Sequence, residues 1–339
     1  MKMKKFLALL TAGALLCPLL TGCQYRDTEP VTKTGLYFDT VISVTLYGSD
    51  KESYIDECFA MADRYESYFS ATLEDSDVSK INENVGTPVT VHEETAELIR
   101  KGQEYYEISG GKFDITIGAL TSLWNISHSD GTVPSPEAIS RALATVDAEN
   151  VIIDGNQVTL TTPGSAIDLG GIAKGYIADR MKAYLNSQGI TSGLIDLGGN
   201  ILALGPKEHQ DTASYTIGIQ KPFADDGDPI AAIEVTDQSV VTSGIYQRYF
   251  ESDGVLYHHI LDTATGYPCD NGLASVTIIN NSSVDGDALS TTCFAMGLSD
   301  GLAFAESLPD TEAIFIITDG ELHCTSGIGT TIPFMDLSS

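Results

Sequence analysis

The sequence predicts an α+β fold, a single compact domain with mixed sheets and flanking helices. Strand-like and helix-like segments interleave without a regular strand–helix–strand alternation, which argues against a doubly wound parallel sheet. No repeat, low-complexity block or Pro/Gly-rich linker divides the 339 residues. A chain of this length buries one large core or two modest ones, and without a linker the single unit is the simpler reading.

The elements follow in order. Leu36 to Tyr47 alternates and is rich in Val, Ile, Thr and Tyr, so it reads as a strand. Glu52 to Tyr68 places Ile55, Phe59, Ala62, Tyr65 and Phe69 at helical spacing. Glu93 to Ile108 is a second helix, stopped by Gly110-Gly111. Val151 to Thr161 reads as a hairpin turning at Asp154-Gly155, and Ile172 to Gln188 as a helix ended by Gly189. Strands are expected near Leu194, Ile217, Ile233, Val255, Val276 and Ile314, and helices over Ala288 to Met296 and Leu302 to Leu308.

The first residues read as an address. Lys2, Lys4 and Lys5 precede an apolar run from Phe6 to Leu20, closed by Leu20-Thr21-Gly22-Cys23. The run is short for a bilayer span and has the basic flank of a signal peptide. Its Leu-x-Gly-Cys ending is similar to a bacterial lipobox, in which Cys23 is lipidated and becomes the first mature residue. Residues 1–22 are therefore expected to be a lipoprotein signal peptide, 23–34 a polar tether, and 35–339 the folded domain. The expected location is the extracytoplasmic side of the cell membrane, held by lipid.

With 18 basic against 47 acidic residues, the chain carries a formal charge of −29. That balance disfavours nucleic acid and bare anionic lipid as partners. It also obliges local groups to neutralise any polyanionic ligand. Cys58, Cys269, Cys293 and Cys324 lack C-x-x-C spacing, which argues against a metal framework; one disulfide stays open without an assignable pairing.

Four segments carry candidate chemistry. In Asp168-Leu169-Gly170-Gly171-Ile172-Ala173-Lys174-Gly175, glycines lead into a helix. Such a loop lets the backbone approach a ligand, the helix N-terminus offers N–H groups to an anion, and Lys174 adds a charge for a phosphate. It is neither G-x-G-x-x-G nor a P-loop, and a tight turn with a surface lysine accounts for it nearly as well. Asp196-Leu197-Gly198-Gly199-Asn200 is a second glycine pair, and two such loops favour a backbone-lined cavity more than either alone. In Asp285-Gly286-Asp287-Ala288-Leu289-Ser290-Thr291-Thr292, a helix starting near Asp287 puts Asp287 and Thr291 on one face. A carboxylate and a hydroxyl so placed suit a hard divalent ion that keeps waters and substrate phosphates; an Asp N-cap with a threonine packed behind it is the alternative. Lastly, His258 and His259 stand side by side on an expected strand and so point to opposite faces. One at most serves a site, where it takes a proton from a hydroxyl near neutral pH. Thr242-Ser243-Gly244 reads as a polar turn, with a phosphate contact as the alternative.

Together these segments resemble the ApbE family, the FAD:protein FMN transferases. The resemblance runs from about Phe38 to Leu298. It includes Phe38-Asp39-Thr40, Phe69-Ser70, Ser79-Lys80-Ile81-Asn82, Gly110-Gly111-Lys112-Phe113-Asp114, Leu123-Trp124, the Asp168 loop, Leu197-Gly198-Gly199-Asn200, His259 to Pro268, and Asp287 to Thr291. What it implies is an ApbE-like domain that binds FAD and Mg2+. A Ser or Thr hydroxyl of an acceptor protein attacks the FMN-side phosphorus, a phosphoester forms and AMP leaves. Phosphoryl chemistry of this kind needs positioning and charge neutralisation above all. By motif, the resemblance assigns the metal to Asp287, Thr291 and the Gly171 carbonyl. It assigns FAD to Phe38, Trp124, Asn125, Ile126, Asp168, Lys174 and Leu261, and the general base to His259. The implied acceptor is an extracytoplasmic redox-complex subunit with a Ser/Thr flavinylation motif. Two segments depart from the pattern: Ala71-Thr72-Leu73 lacks the aromatic residue of many relatives, and Trp124-Asn125-Ile126 replaces a Trp-Gly-Phe-like stretch. The same pocket also admits an Mg-dependent FAD pyrophosphatase, in which water is the nucleophile, or a non-catalytic flavin-binding lipoprotein. Retention of Asp287, Thr291 and His259 argues against the last.

Overall fold

The structure is a computed structural model describing residues 29–48, 51–207, 213–224 and 227–338. Cys23 and the expected leader lie outside the described residues. The chain opens with β1 (Val31–Tyr37) and β2 (Thr40–Leu46), a hairpin where the sequence predicts one strand over Leu36 to Tyr47. Phe38 and Asp39 turn it, with φ of 52° and 55°. Positive φ at both central residues gives the twist a two-residue hairpin requires, but Phe-Asp carries no Asn-Gly signal.

Then follow α1 (Glu52–Phe69), α2 (Asp77–Glu83), β3 (Val89–Thr90), α3 (Glu93–Ser109), α4 (Gly118–Trp124) and α5 (Pro136–Leu143). The short helices α2, α4 and α5 are absent from the sequence prediction. Next come β4 (Val151–Asp154), β5 (Gln157–Leu160), α6 (Ala173–Ser187), β6 (Gly193–Leu197), β7 (Asn200–Leu204), β8 (Tyr215–Gln220), β9 (Pro229–Val235) and β10 (Ser239–Gly244). Thr242-Ser243-Gly244, expected to turn, is the end of strand β10. The chain finishes with β11 (Tyr249–Ser252), β12 (Val255–His258), β13 (Leu273–Asn280), α7 (Ser283–Met296), α8 (Leu298–Ser307), β14 (Thr311–Ile317), β15 (Leu322–Cys324) and β16 (Phe334–Asp336).

The central sheet has eight strands in the order β1-β2-β6-β7-β10-β13-β14-β15, every neighbour antiparallel. Its spatial order is its chain order, with helices and smaller sheets inserted between successive strands. Alternation along β14 shows how both faces are used. Ala313 and Phe315 enter the core shared with the helices, while Ile314 and Ile316 enter a second core with Tyr215, Ile217 and Ile233 of β8 and β9. All eight residues of β13 are buried in consequence. A satellite core of Leu120, Trp124, Ile126, Ile139 and Leu261 ties α4 and α5 to the segment after β12.

Candidate active site

The helix α7 starts at Ser283, so Asp287 falls in its second turn, and the cap is Ser282, whose Oγ accepts the Asp285 N–H. The capping reading of Asp287 is thereby corrected. Thr291 follows one turn later on the same face. Asp287 is only 3 % exposed. Its Oδ2 accepts the Gly175 N–H at 2.9 Å, and its Oδ1 lies 3.4 Å from Lys174 Nζ. A Cβ on Gly171 would stand 3.7 Å from Thr291 Oγ1, so the glycine loop runs against that hydroxyl. Ser243, on β10, reaches the same place, with its Oγ 2.8 Å from Ser290 Oγ and 3.4 Å from Thr291 Oγ1.

Asp168 holds the loop to α4. Its Oδ1 accepts the Gly170 N–H at 2.8 Å, and its Oδ2 accepts the Thr121 hydroxyl at 2.7 Å. The Lys174 ammonium lies between Asp287 and the Gly170 carbonyl, 3.5 Å from the latter. Asp287 and Thr291 share one face of α7, and the Gly171 backbone runs beside Thr291; a carboxylate with neutral oxygens is donor chemistry that would suit a hard ion such as magnesium better than zinc. Among the described residues no three His, Cys, Asp or Glu side chains converge; a set with one carboxylate calls for no such cluster.

The two histidines have different lives. His258 is buried, its Nε2–H donating to the Cys269 carbonyl at 2.9 Å while Nδ1 accepts the Ile260 N–H at 3.2 Å. Both ring nitrogens are engaged in structure. The Nδ1 of His259 lies 3.3 Å from the Arg248 carbonyl oxygen, a bond only a protonated Nδ1 can donate. Nε2 then carries the lone pair. Burial, reinforced by the Arg248 guanidinium and by Lys174, pushes the His259 pKa down to about 3. Arg248 also donates to the Phe38 carbonyl at 3.2 Å, while the Phe38 N–H donates to Glu66 Oε1 at 2.7 Å. The β1–β2 turn is therefore pinned beside His259.

Of the expected flavin contacts, Phe38, Asp168 and Lys174 border this region, and Asn125 is an exposed left-handed C-cap with φ 43°. Trp124, Ile126 and Leu261 are buried in the satellite core. The Trp124 indole donates to the Gly266 carbonyl at 2.8 Å and stacks on Tyr257. The second glycine loop lines a separate cleft of about 220 Å³ with Asp196, Gln220, Thr242, Tyr246 and Gln247. Sequence reasoning missed Glu66 and Arg248, and preferred a turn to a phosphate contact for Ser243. Only Arg248 left a signal: it is the sole Lys or Arg after Lys221.

A profile of the ApbE family matches residues 38–315. The chain belongs to the ApbE family. This ApbE-family chain is 38 % identical to a FAD:protein FMN transferase of Klebsiella pneumoniae, over 88 % of its own length and 93 % of the relative's. It is 34 % identical to one from Treponema pallidum, over 96 % and 95 %. Among solved structures it superposes on the ApbE protein of Thermotoga maritima with a TM-score of 0.82 at 33 % identity, covering 88 % of this chain and 97 % of that one. The flavin transferase ApbE of Vibrio cholerae gives 0.78 at 29 %, covering 88 % and 97 %. Mixed helices and antiparallel sheets in one domain are the architecture these structures share.

Proposed function

We propose that this enzyme is an FAD:protein FMN transferase, moving FMN from FAD to a Ser or Thr hydroxyl of an acceptor protein with magnesium. The observation that carries the reading is the meeting of Asp287, Thr291, Lys174 and the Gly171 backbone at one end of α6. Magnesium, held by Asp287, Thr291 and the Gly171 carbonyl, would neutralise charge on the pyrophosphate. Lys174 and Arg248 add the positive charge that an acidic protein otherwise lacks there. The acceptor oxygen bonds to the FMN-side phosphorus, the bond from phosphorus to the AMP oxygen breaks, and the hydroxyl proton passes to His259 Nε2. A base with a pKa of about 3 is weak. A bound pyrophosphate sets negative charge against the two cations that depress it, which raises its basicity.

Phe38, Asp168 and Lys174 would hold FAD, with Trp124, Ile126 and Leu261 of the satellite core supporting that wall from within. The chain works outside the membrane, anchored through a lipid on Cys23, on an acceptor that is an extracytoplasmic redox subunit. Incubating the protein with FAD and magnesium, with and without such an acceptor, tests the reading. Transfer yields a fluorescent acceptor band and AMP. Free FMN formed equally in both mixtures would instead identify a pyrophosphatase.

A further inference from the structure

The four N–H groups that open any helix have no partner within it. In α7 each of them is answered. Ser282 N–H donates to Asn280 Oδ1 at 2.8 Å and Asp285 N–H to Ser282 Oγ at 3.3 Å. The remaining two go to another helix: Ser283 N–H donates to Asp179 Oδ1 at 3.0 Å, and Val284 N–H to Asp179 Oδ2 at 2.9 Å. Asp179 belongs to α6, four residues after Gly175, whose own N–H holds Asp287 Oδ2. Each helix therefore offers a carboxylate to backbone N–H groups of the other, one turn apart on both. Gly175 permits the close approach, since a Cβ there would lie 2.2 Å from the Ser283 carbonyl oxygen.

We infer that Asp179 is a positioning residue for the cation site, fixing the rotation and height of α7 so that Asp287 Oδ1 and Thr291 Oγ1 face the Gly171 loop. This rests on the magnesium reading above. Two bonds from one carboxylate to adjacent N–H groups define a direction as well as a distance. With the carboxylate gone, Ser283 Oγ still bonds Asn200 Oδ1 at 2.6 Å and Ser239 Oγ at 2.9 Å, but the first turn of α7 loses its bonds to α6 and can shift against it, carrying both donors with it. A second tether from α3 does not replace the clamp: Asp285 Oδ1 accepts the Tyr105 hydroxyl at 2.7 Å and lies 3.0 Å from Lys101 Nζ, which holds the opposite side of the turn.

The test is calorimetric titration of magnesium into the full chain, with thermal unfolding alongside. Asp179→Ala should weaken magnesium by roughly 10–100-fold, the range typical of groups that orient metal ligands. Asp179→Asn, which keeps the shape and one acceptor oxygen, should weaken it less. At saturating magnesium both should recover most of the parental transfer rate. If the alanine variant does not fold, the asparagine variant decides. Parental magnesium affinity in a variant that unfolds earlier would overturn the inference and leave Asp179 a cap alone. Asp287→Ala, titrated in parallel, separates the two readings. Should it bind magnesium like the parent, the metal assignment itself fails; should it lose magnesium while the Asp179 variants keep it, only the clamp fails.

Discussion

Asp287 gives one oxygen to a backbone N–H and turns the other toward Lys174; on the proposed reading its loss removes both a ligand and the charge that retains the ion. Asp287→Ala should abolish nearly all FMN transfer, with excess magnesium restoring a part, and Thr291→Ala should weaken the metal less, being neutral. A mutant that unfolds earlier yet transfers FMN at the parental rate would falsify the metal role. The histidines divide differently. His259→Ala should slow acceptor labelling by about 10²–10⁴-fold with FAD binding little changed, as for a lost general base. His258→Ala should lower the melting temperature instead, because it strands the half-buried Cys269 carbonyl and the buried Ile260 N–H. Equal kinetic losses in both would dismiss His259 as the base. Acid adds an independent check. His259 stays neutral in the folded protein down to about 3, against about 6.5 for an ordinary histidine, so between these values only the unfolded chain takes up the proton. Its stabilisation is complete above pH 6.5 and drains away as pH falls toward 3. The melting temperature of His259→Gln should therefore drop less steeply than the parent's across that window, as differential scanning calorimetry would report. Asp287 and Thr291 were legible because the helical period sets them on one face; His259, expected on a strand, lies just past the end of β12 at His258, and its choice over His258 rested on the family resemblance. Arg248 was not legible: its carbonyl holds His259 through a bond that pattern cannot display.

Helices α6 and α7 form the frame on which the site is hung, and their closeness depends on Gly175. Gly175→Ala pushes a methyl group into the Ser283 carbonyl, backbone against backbone, where neither side has a rotamer to yield. Overpacking of this kind costs about 1–3 kcal/mol. Transfer should fall along with stability, since the same N–H holds Asp287. Chemical denaturation and labelling assays on one preparation would show whether the two losses travel together. The sequence marked α6 correctly from its apolar spacing, and α7 only from Ala288, because its first turn of Ser, Asp and Gly is poor in apolar residues. The helices α2, α4 and α5 escaped for a related reason. Each has at most eight residues, too few for a 3.6-residue period to declare itself. A Ser76 cap before α2 and a Ser135-Pro136 start before α5 were the available signals. The β1–β2 turn lay hidden because Phe38 and Asp39 adopt left-handed backbone that is rare outside glycine and asparagine.

At the scale of the whole molecule, the α+β class was readable from interleaved elements, but the sheet order was not. Pairings such as Ile42 with Leu197 join residues far apart in the chain, and nothing local encodes them. Address and chemistry should separate at this scale too. Cys23→Ser is expected to leave transfer by purified protein intact and to remove lipid anchoring; continued partitioning of the variant into a detergent phase would contradict it. The chain-ordered sheet has a consequence for biogenesis. Made N-terminus first, the polypeptide could lay down β1, β2, β6 and β7 in succession, each strand meeting an edge already in place. Yet α7 arrives late, and with it both Asp287 and Thr291. A nascent chain halted before Ser283 would possess the lysine and the glycine loop but no carboxylate to hold a cation, and Asp179 would stand without the N–H groups it answers. Two of the three donors proposed for the cation thus join the fold only once α7 is in place.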